Sequence, residues 1–463
     1  MNGSAIIDAT CTQAQRRTFP GATPRKRGAA DIVFIMGFTD IEQEADLDAE
    51  TKPLSLKQNM LWNSIGSFLY LFCQWAITVL VVRLSSGYDS AGVLAIAMSI
   101  GNLFTPFAIY KMRTYQVSDT SGEYSTGQYV AFRLITIAIA LVGCSLYAVL
   151  TCRAETYLTI FTYLVFKAID IFIDVLHGLD QQKMRMDYIG KSLIARGLLS
   201  LIAFCLILWW TGNINLAVLG MVISTLPVCV FYDMRVSSKL DDIRPHISFD
   251  DAVVLLRKCF PLVIASVFCS AILTIPRQYL SYGFGDALLG IYSSVAAPIA
   301  VIQIGATYIY SPLLGIFAED YNQGAITKLR QLMLKTTLGI LALAIICLVL
   351  FHLFGEWGLV LLYGESIREH ASLMYPIIIC TVLTGFLWFL ADLLVSIREF
   401  RGNVVGNIIA LLVSLGTTVP LVNTFTMNGV SFVGIAACVL GIVIMAWYLR
   451  RSMHTFPGTR GDA

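Results

Sequence analysis

Apolar residues run along most of this chain in blocks of about twenty, separated by short polar breaks. A helix needs about 20 mostly apolar residues to cross the ~30 Å hydrocarbon core of a bilayer. On that basis the pattern predicts twelve membrane-spanning helices, over residues 59–82, 91–110, 130–150, 156–176, 193–211, 214–233, 260–281, 288–312, 333–353, 372–395, 403–423 and 429–449. The expected fold class is all-α and polytopic.

The breaks alternate in charge. One set carries Lys111 and Arg113; Lys183, Arg185 and Lys191; Arg235, Lys239, Arg244, Arg257 and Lys258; Lys328, Arg330 and Lys335; Arg398 and Arg401; and Arg450 and Arg451. The other set holds Arg83, Arg153 and Arg368, and two of its breaks, Thr211 to Asn215 and Asn423 to Asn428, hold no basic residue. Basic loops stay cytoplasmic, so the alternation predicts both termini inside and an even number of helices. The longest internal break, 234–259, is read as a cytoplasmic linker between two six-helix halves, 57–233 and 260–450. Residues 1–56 are polar, with basic runs followed by an acidic one, and read as a disordered cytoplasmic tail; residues 451–463 form a second tail. The apolar stretch Ile32 to Phe38 is read as too short for a secretory signal core with a cleavage site after it, and Met36 and Met60 are alternative starts.

A repeat crosses the divide. Gly87-x4-Gly92-Val-Leu follows the first span of one half, and Gly285-x4-Gly290-Ile-Tyr follows the first span of the other, 198 residues on. Two related halves around a central site are a transporter architecture.

Composition narrows the function classes. Hydrophobic residues make up 57% of the chain and charged ones 13%, against about 25% charged in soluble domains. A net charge of +2 without a long basic block excludes nucleic acid as the expected partner. The eleven cysteines are scattered singly, most inside apolar runs, which predicts neither a disulfide framework nor a metal site. No Walker A sequence is present, and the external loops are short for a membrane enzyme of glycan assembly. No cofactor is expected, and coupling to H⁺ or Na⁺ stays open.

Charges inside the spans carry the functional signal, because each costs about 2.5–3.5 kcal/mol at a helix centre and therefore faces a partner or a wet cavity. In the fourth span Lys167, Asp170, Asp174 and His177 follow one another by three, four and three residues, which places them on one helix face. That stripe reads either as a cavity wall or as internal ion pairing with snorkelling near the cytoplasmic end. In the seventh span Pro276 precedes Arg277. The proline loosens the helix, and the guanidinium suits phosphate oxygens. Arg277 reads as lining a cavity, the alternative being contact with the outer headgroups. Asp392 in the tenth span is a counter-ion or a proton site, and Gln74 is a weaker polar candidate.

Several segments resemble the Wzx-type polysaccharide flippases of the MOP superfamily, relatives of the MATE exporters. They are Leu56-Lys-Gln-Asn-Met-Leu-Trp62-Asn63-Ser-Ile-Gly66; Arg83-Leu84-Ser-Ser-Gly87; Pro106 to Asp119, including Arg113 and Gln116-Val-Ser-Asp; and His177-Gly178-Leu-Asp-Gln181 through Arg185, Asp187 and Lys191 to Arg196-Gly197. Ile275-Pro276-Arg277, Pro312-Leu-Leu and Leu361-Leu-Tyr-Gly364 extend the likeness over roughly residues 56–450. Ser86 and Lys111 stand where the family pattern has glycine. The resemblance implies two six-helix bundles with alternating access in a bacterial inner membrane. It also implies a polyprenyl-diphosphate-linked oligosaccharide as substrate, and other polysaccharide-assembly membrane proteins as partners. The candidate substrate-binding residues are Arg277 and Lys167 in the cavity and Arg113 near the cytoplasmic entrance; Asp392, Asp170 and Asp174 are candidate counter-ions or ion-coupling groups. The competing expectation is a MATE-like ion-coupled exporter of small molecules.

Overall fold

The computed structural model describes residues 52–85, 87–110, 112–119 and 123–454. The predicted N-terminal tail up to Thr51, the predicted C-terminal tail beyond His454, and the departures at Ser86 and Lys111 lie outside the described residues.

Among the described residues every regular element is helical. The first half comprises α1 (Leu56–Leu84), α2 (Asp89–Ile109), α3 (Met112–Ser118), α4 (Thr126–Thr151), α5 (Tyr157–Gln182), α6 (Met186–Thr211), α7 (Ile214–Val228) and α8 (Met234–Leu240). The second comprises α9 (Phe249–Phe284), α10 (Asp286–Ile299), α11 (Val301–Tyr310), α12 (Leu314–Asn322), α13 (Ile326–Tyr363), α14 (Met374–Ser396), α15 (Phe400–Phe425) and α16 (Met427–His454). Among the described residues eleven helical stretches are long and apolar enough to cross a membrane. The remaining predicted span is α5, which has the length, at 26 residues, but carries Lys167, Asp170 and Asp174 within its apolar run.

Local sequence sets the helix starts. Ser55 and Ser125 each form a capping box with the glutamine three residues on, Gln58 and Gln128, so two orphan backbone donors are satisfied at each start. Asn213 and Ser248 cap α7 and α9 through their side-chain oxygens. The Ser248 cap, with Asp250 and Asp251 in the first helical turn, explains a difference from the sequence reading. The break expected over 234–259 is mostly helical: Met234–Leu240 prolongs one half, α9 begins the other at Phe249, and only residues 241–248 join them without helix.

The first resembling segment has a structural role. Asn59 is buried at the start of α1; its Oδ1 accepts from the Met186 backbone N–H at 2.7 Å, and its Nδ2 donates to the Leu54 carbonyl at 3.1 Å. It pins α1 to the turn between α5 and α6. Two helical turns further, α1 and α6 cross so closely that a Cβ on Gly66 would lie 2.6 Å from the Gly190 Cα.

Apolar side chains such as Phe104, Leu164, Phe166 and Phe204 fill the first half, and Phe317, Phe389, Leu393 and Ala410 fill the second. Helix α9 lies against α2, with the Thr274 hydroxyl donating to the Ser99 carbonyl at 3.3 Å. The eighth span is discontinuous. Helix α10 ends just past Pro298, Ala300 intervenes, and α11 resumes. A proline cannot donate into the ladder, and irregular backbone at membrane depth is tolerated where it lines a cavity.

Candidate functional site

Two cavities among the described residues bear on the site. The first, about 210 Å³, lies inside the first half, in the portion of α1, α5 and α6 nearest the basic loops. Its charged lining is Arg113, Lys167, Asp170, Asp174 and Arg196, with His177 and the Tyr70 hydroxyl beside them. The predicted stripe on α5 is thus both a cavity wall and an ion-pair network. Asp170 accepts from the Tyr70 hydroxyl at 3.0 Å, lies 3.5 Å from Lys167 Nζ and pairs with Arg196. Asp174 bridges Arg113 at 2.7 Å and Arg133 at 3.2 Å. Three cations meet two carboxylates at the wall, and Arg133 backs Asp174 from behind, so the region keeps a positive excess.

Arg133 was not among the sequence candidates. It is fully buried, and its other amino group donates to the Ala108 carbonyl at 3.2 Å. An arginine inside an apolar span was its available signal. Arg196 carried the same signal, whereas nothing in the sequence marked Tyr70. Because a buried cation stripped of its carboxylate keeps its desolvation penalty, Asp174→Asn is expected to destabilise the protein by about 3–5 kcal/mol. The check is a lowered midpoint of heat unfolding of the detergent-purified chain, against a small change for Glu356→Gln, whose exposed partner Arg368 stays hydrated.

The second cavity is larger, about 700 Å³, and lies between the halves. Helices α1 and α2 form one wall and α10 and α11 the other, with Arg277 reaching in from α9. The lining is mostly apolar, with Gln74, Thr78, Asn102, Ser293 and Ser294 as its polar members and Arg277 as its single charge among the described residues. Arg277 therefore faces the gap between the halves, the cavity alternative of the sequence reading. Its guanidinium carbon lies 5.9 Å from the centre of the Tyr292 ring, and its buried Nε has no hydrogen-bond partner. No carboxylate pairs with it among the described residues. Phe68, Phe72, Ile304 and Tyr308, on the rims formed by α1 and α11, are exposed. The cavity thus opens sideways through an apolar mouth.

Asp392 is not brought to either cavity. It sits on α14 inside the second half, where the Tyr310 hydroxyl donates to it at 2.9 Å. Its membrane depth was legible; its direction was not.

Beyond Arg277, at the end away from the basic loops, the halves are sealed together. A Cβ on Gly92 would lie 1.8 Å from the Asp286 carbonyl oxygen, and one on Gly290 would lie 2.1 Å from the Tyr88 carbonyl oxygen. Each pair is the other displaced by the 198-residue repeat, so the two glycine turns meet about a pseudo-two-fold axis. The contact needs glycine because backbone meets backbone. Beside it Arg83 donates to the carbonyls of Leu362 at 2.7 Å and Leu361 at 2.5 Å, satisfying the C-terminal end of α13 from across the divide. The Tyr88 and Ser366 hydroxyls are 3.1 Å apart, and Arg153 donates to the Tyr282 carbonyl at 2.8 Å.

This fold, two helical halves meeting at one end around a cavity, is similar to that of solved membrane transporters of the MOP superfamily. The inward-facing conformation of a multidrug resistance MATE family transporter of that superfamily superposes with a TM-score of 0.65 at 15% identity, covering 88% of this chain and 100% of that one. The inward closed conformation of the lipid II flippase MurJ gives a TM-score of 0.66 at 10% identity, covering 85% and 89%. In sequence, the chain is 26% identical over 390 residues to the capsular polysaccharide biosynthesis protein CapF of Staphylococcus aureus, covering 80% of this chain and 93% of that protein. No family model matches the chain. The neighbours agree with the sequence expectation of an all-helical, MATE/MOP-like fold, and the relative in sequence is by its name a protein of polysaccharide biosynthesis.

Proposed function

We propose that this chain is a flippase that carries a polyprenyl-diphosphate-linked oligosaccharide from the cytoplasmic to the outer leaflet by alternating access. The observation that carries the reading is Arg277: a fixed cation without a carboxylate partner among the described residues, in an apolar cavity between the halves that opens sideways. A diphosphate head supplies the missing anion, with two negatively charged groups for a donor fork. The lipid tail stays outside, against the exposed apolar mouth, while the head is inside. Lys167 and Arg113 receive the head first, in the charged cavity near the basic loops. Those loops lie in the cytoplasm by the charge alternation, with both termini inside. The membrane is a bacterial inner membrane, and other polysaccharide-assembly proteins supply and receive the cargo. The sealed end then faces outward, and the described conformation is the one loaded from inside.

A cationic-drug exporter wants an uncompensated carboxylate in its cavity. Asp170 and Asp174 are each held by two cations, and among the described residues no carboxylate lines the larger cavity. The charge pattern therefore favours an anionic cargo.

Cells lacking the chain are expected to accumulate a lipid-linked repeat unit in the inner leaflet and to lose the surface glycan. Extraction and labelling of lipid-linked sugars reads the first effect, and surface staining the second. Intact glycan together with new sensitivity to cationic drugs replaces this reading with the exporter.

A further inference from the structure

Resting on the transport activity proposed above, we propose that His177 and Asp233 form a proton-binding site at the wall of the charged cavity, and that its protonation favours binding of an anionic head there.

The three groups involved are buried: His177 and Asp233 are each 3% exposed, and Asp180 is 2% exposed. His177 lines the cavity, and its Nε2 lies 3.3 Å from Asp233 Oδ1. The other carboxylate oxygen of Asp233 is buried without a hydrogen-bond partner. Asp180, one turn along α5 from His177, accepts from the Ser237 hydroxyl at 3.2 Å. Among the described residues neither Asp233 nor Asp180 pairs with an arginine or lysine. This separates them from Asp170 and Asp174, each of which is paired with two cations. An ionised carboxylate deep in a bundle without a cation is penalised by several kcal/mol. The missing positive charge is a proton.

The backbone shapes the pair. Residues Cys229–Asp233 form one π-helical turn, two residues after Pro227 in α7. The wide turn adds a residue to the helix and brings Asp233 onto the face that meets His177. Such turns recur at functional sites.

The field at the site comes from every helix around it. Helix α3 brings Arg113, α6 brings Arg196 and Asp187, α5 itself brings Asp174 and Asp180, and the π turn brings Tyr232. Protonation takes one proton from cavity water onto the imidazole. The imidazolium then donates through Nε2 to Asp233 and adds one positive charge to the cavity wall. A diphosphate seated by Lys167 and Arg113 stabilises that charge, and by linkage the imidazolium strengthens diphosphate binding equally. The sign follows: head affinity is greatest at low pH and falls as the pH rises and the imidazole loses its proton.

The test uses the purified full-length chain in lipid nanodiscs. In its first arm no cargo is present, and infrared difference spectra between acidic and alkaline pH report the protonation change. A signal lost in Asp233→Asn and in His177→Gln but kept in Asp392→Asn is expected; a signal unchanged in both site variants overturns the proton site. In its second arm farnesyl diphosphate is the probe. Its affinity is expected to fall about tenfold from acidic to alkaline pH in the unaltered chain and to be flat in His177→Gln. Equal slopes in the two overturn the linkage. Absence of farnesyl diphosphate binding at every pH refutes the linkage to an anionic head and, with it, the cargo reading, while the first arm still decides the proton site.

Discussion

Replacing Arg277 by alanine is expected to abolish export while the chain still folds and inserts. Among the described residues the arginine makes no ion pair that its loss would break and is the one charge lining the larger cavity, so the folded state tolerates the change, whereas the head loses a fixed cation between the halves. A hydrogen bond to a charged group contributes about 1.5–3 kcal/mol, so the deep head site weakens roughly ten- to hundredfold per bond lost. Arg277→Lys keeps the charge but not the fork, and is expected to restore export in part. Surface glycan in cells carrying each variant is the measure, with inner-leaflet lipid-linked sugar as the companion reading. Normal glycan in Arg277→Ala cells excludes this residue from the path of the head.

The second large effect is expected at the sealed end. Gly92→Leu drives a side chain into the Asp286 carbonyl, and Gly290→Leu does the same at Tyr88. Overpacking costs about 1–3 kcal/mol, and here the molecule can relieve it by parting the halves. The closed arrangement then loses roughly five- to hundredfold in population, and the cycle stalls with its outer end open. Spin labels on Asp89 and Glu365, both exposed at that end, read the change as an increased separation across the divide. Export is expected to fail in both variants. An unchanged separation with normal export shows that the glycine contact is incidental packing. Because the two turns are related by the repeat, the two variants are expected to behave alike; a one-sided effect contradicts the pseudo-symmetry.

Both predictions concern residues that the sequence singled out, for different reasons. Arg277 stood out as a charge beside a proline within an apolar run. Gly92 and Gly290 stood out as a repeated turn, with no sign that the turns touch. The stripe of Lys167, Asp170, Asp174 and His177 was legible from helical spacing alone, but its partners were not. Arg196 and Arg133 reach Asp170 and Asp174 from two other helices, and a pairing between helices leaves no periodic trace. The polar cavity expected around Arg277 is instead mostly apolar, because the cationic cluster gathered in the first half rather than between the halves. Asp392 turned toward Tyr310, within the second half.

Hydropathy and the position of charges in the chain determine which segments enter a bilayer and that they are helices, because each segment must satisfy its own backbone where no water can. Those features therefore followed from the amino-acid order: the apolar helical spans, the repeated glycine turn and the few ionisable groups costly enough to mark a site. Which helix faces which belongs to the tertiary structure. In a bundle, rotating a helix by one residue moves a side chain by about 100° around its axis. Close packing at Gly66 and Gly190, the π turn before Met234 and the glycine contact at the sealed end set those rotations, and with them which charges are paired, which one is left without a carboxylate, and where the cavity opens.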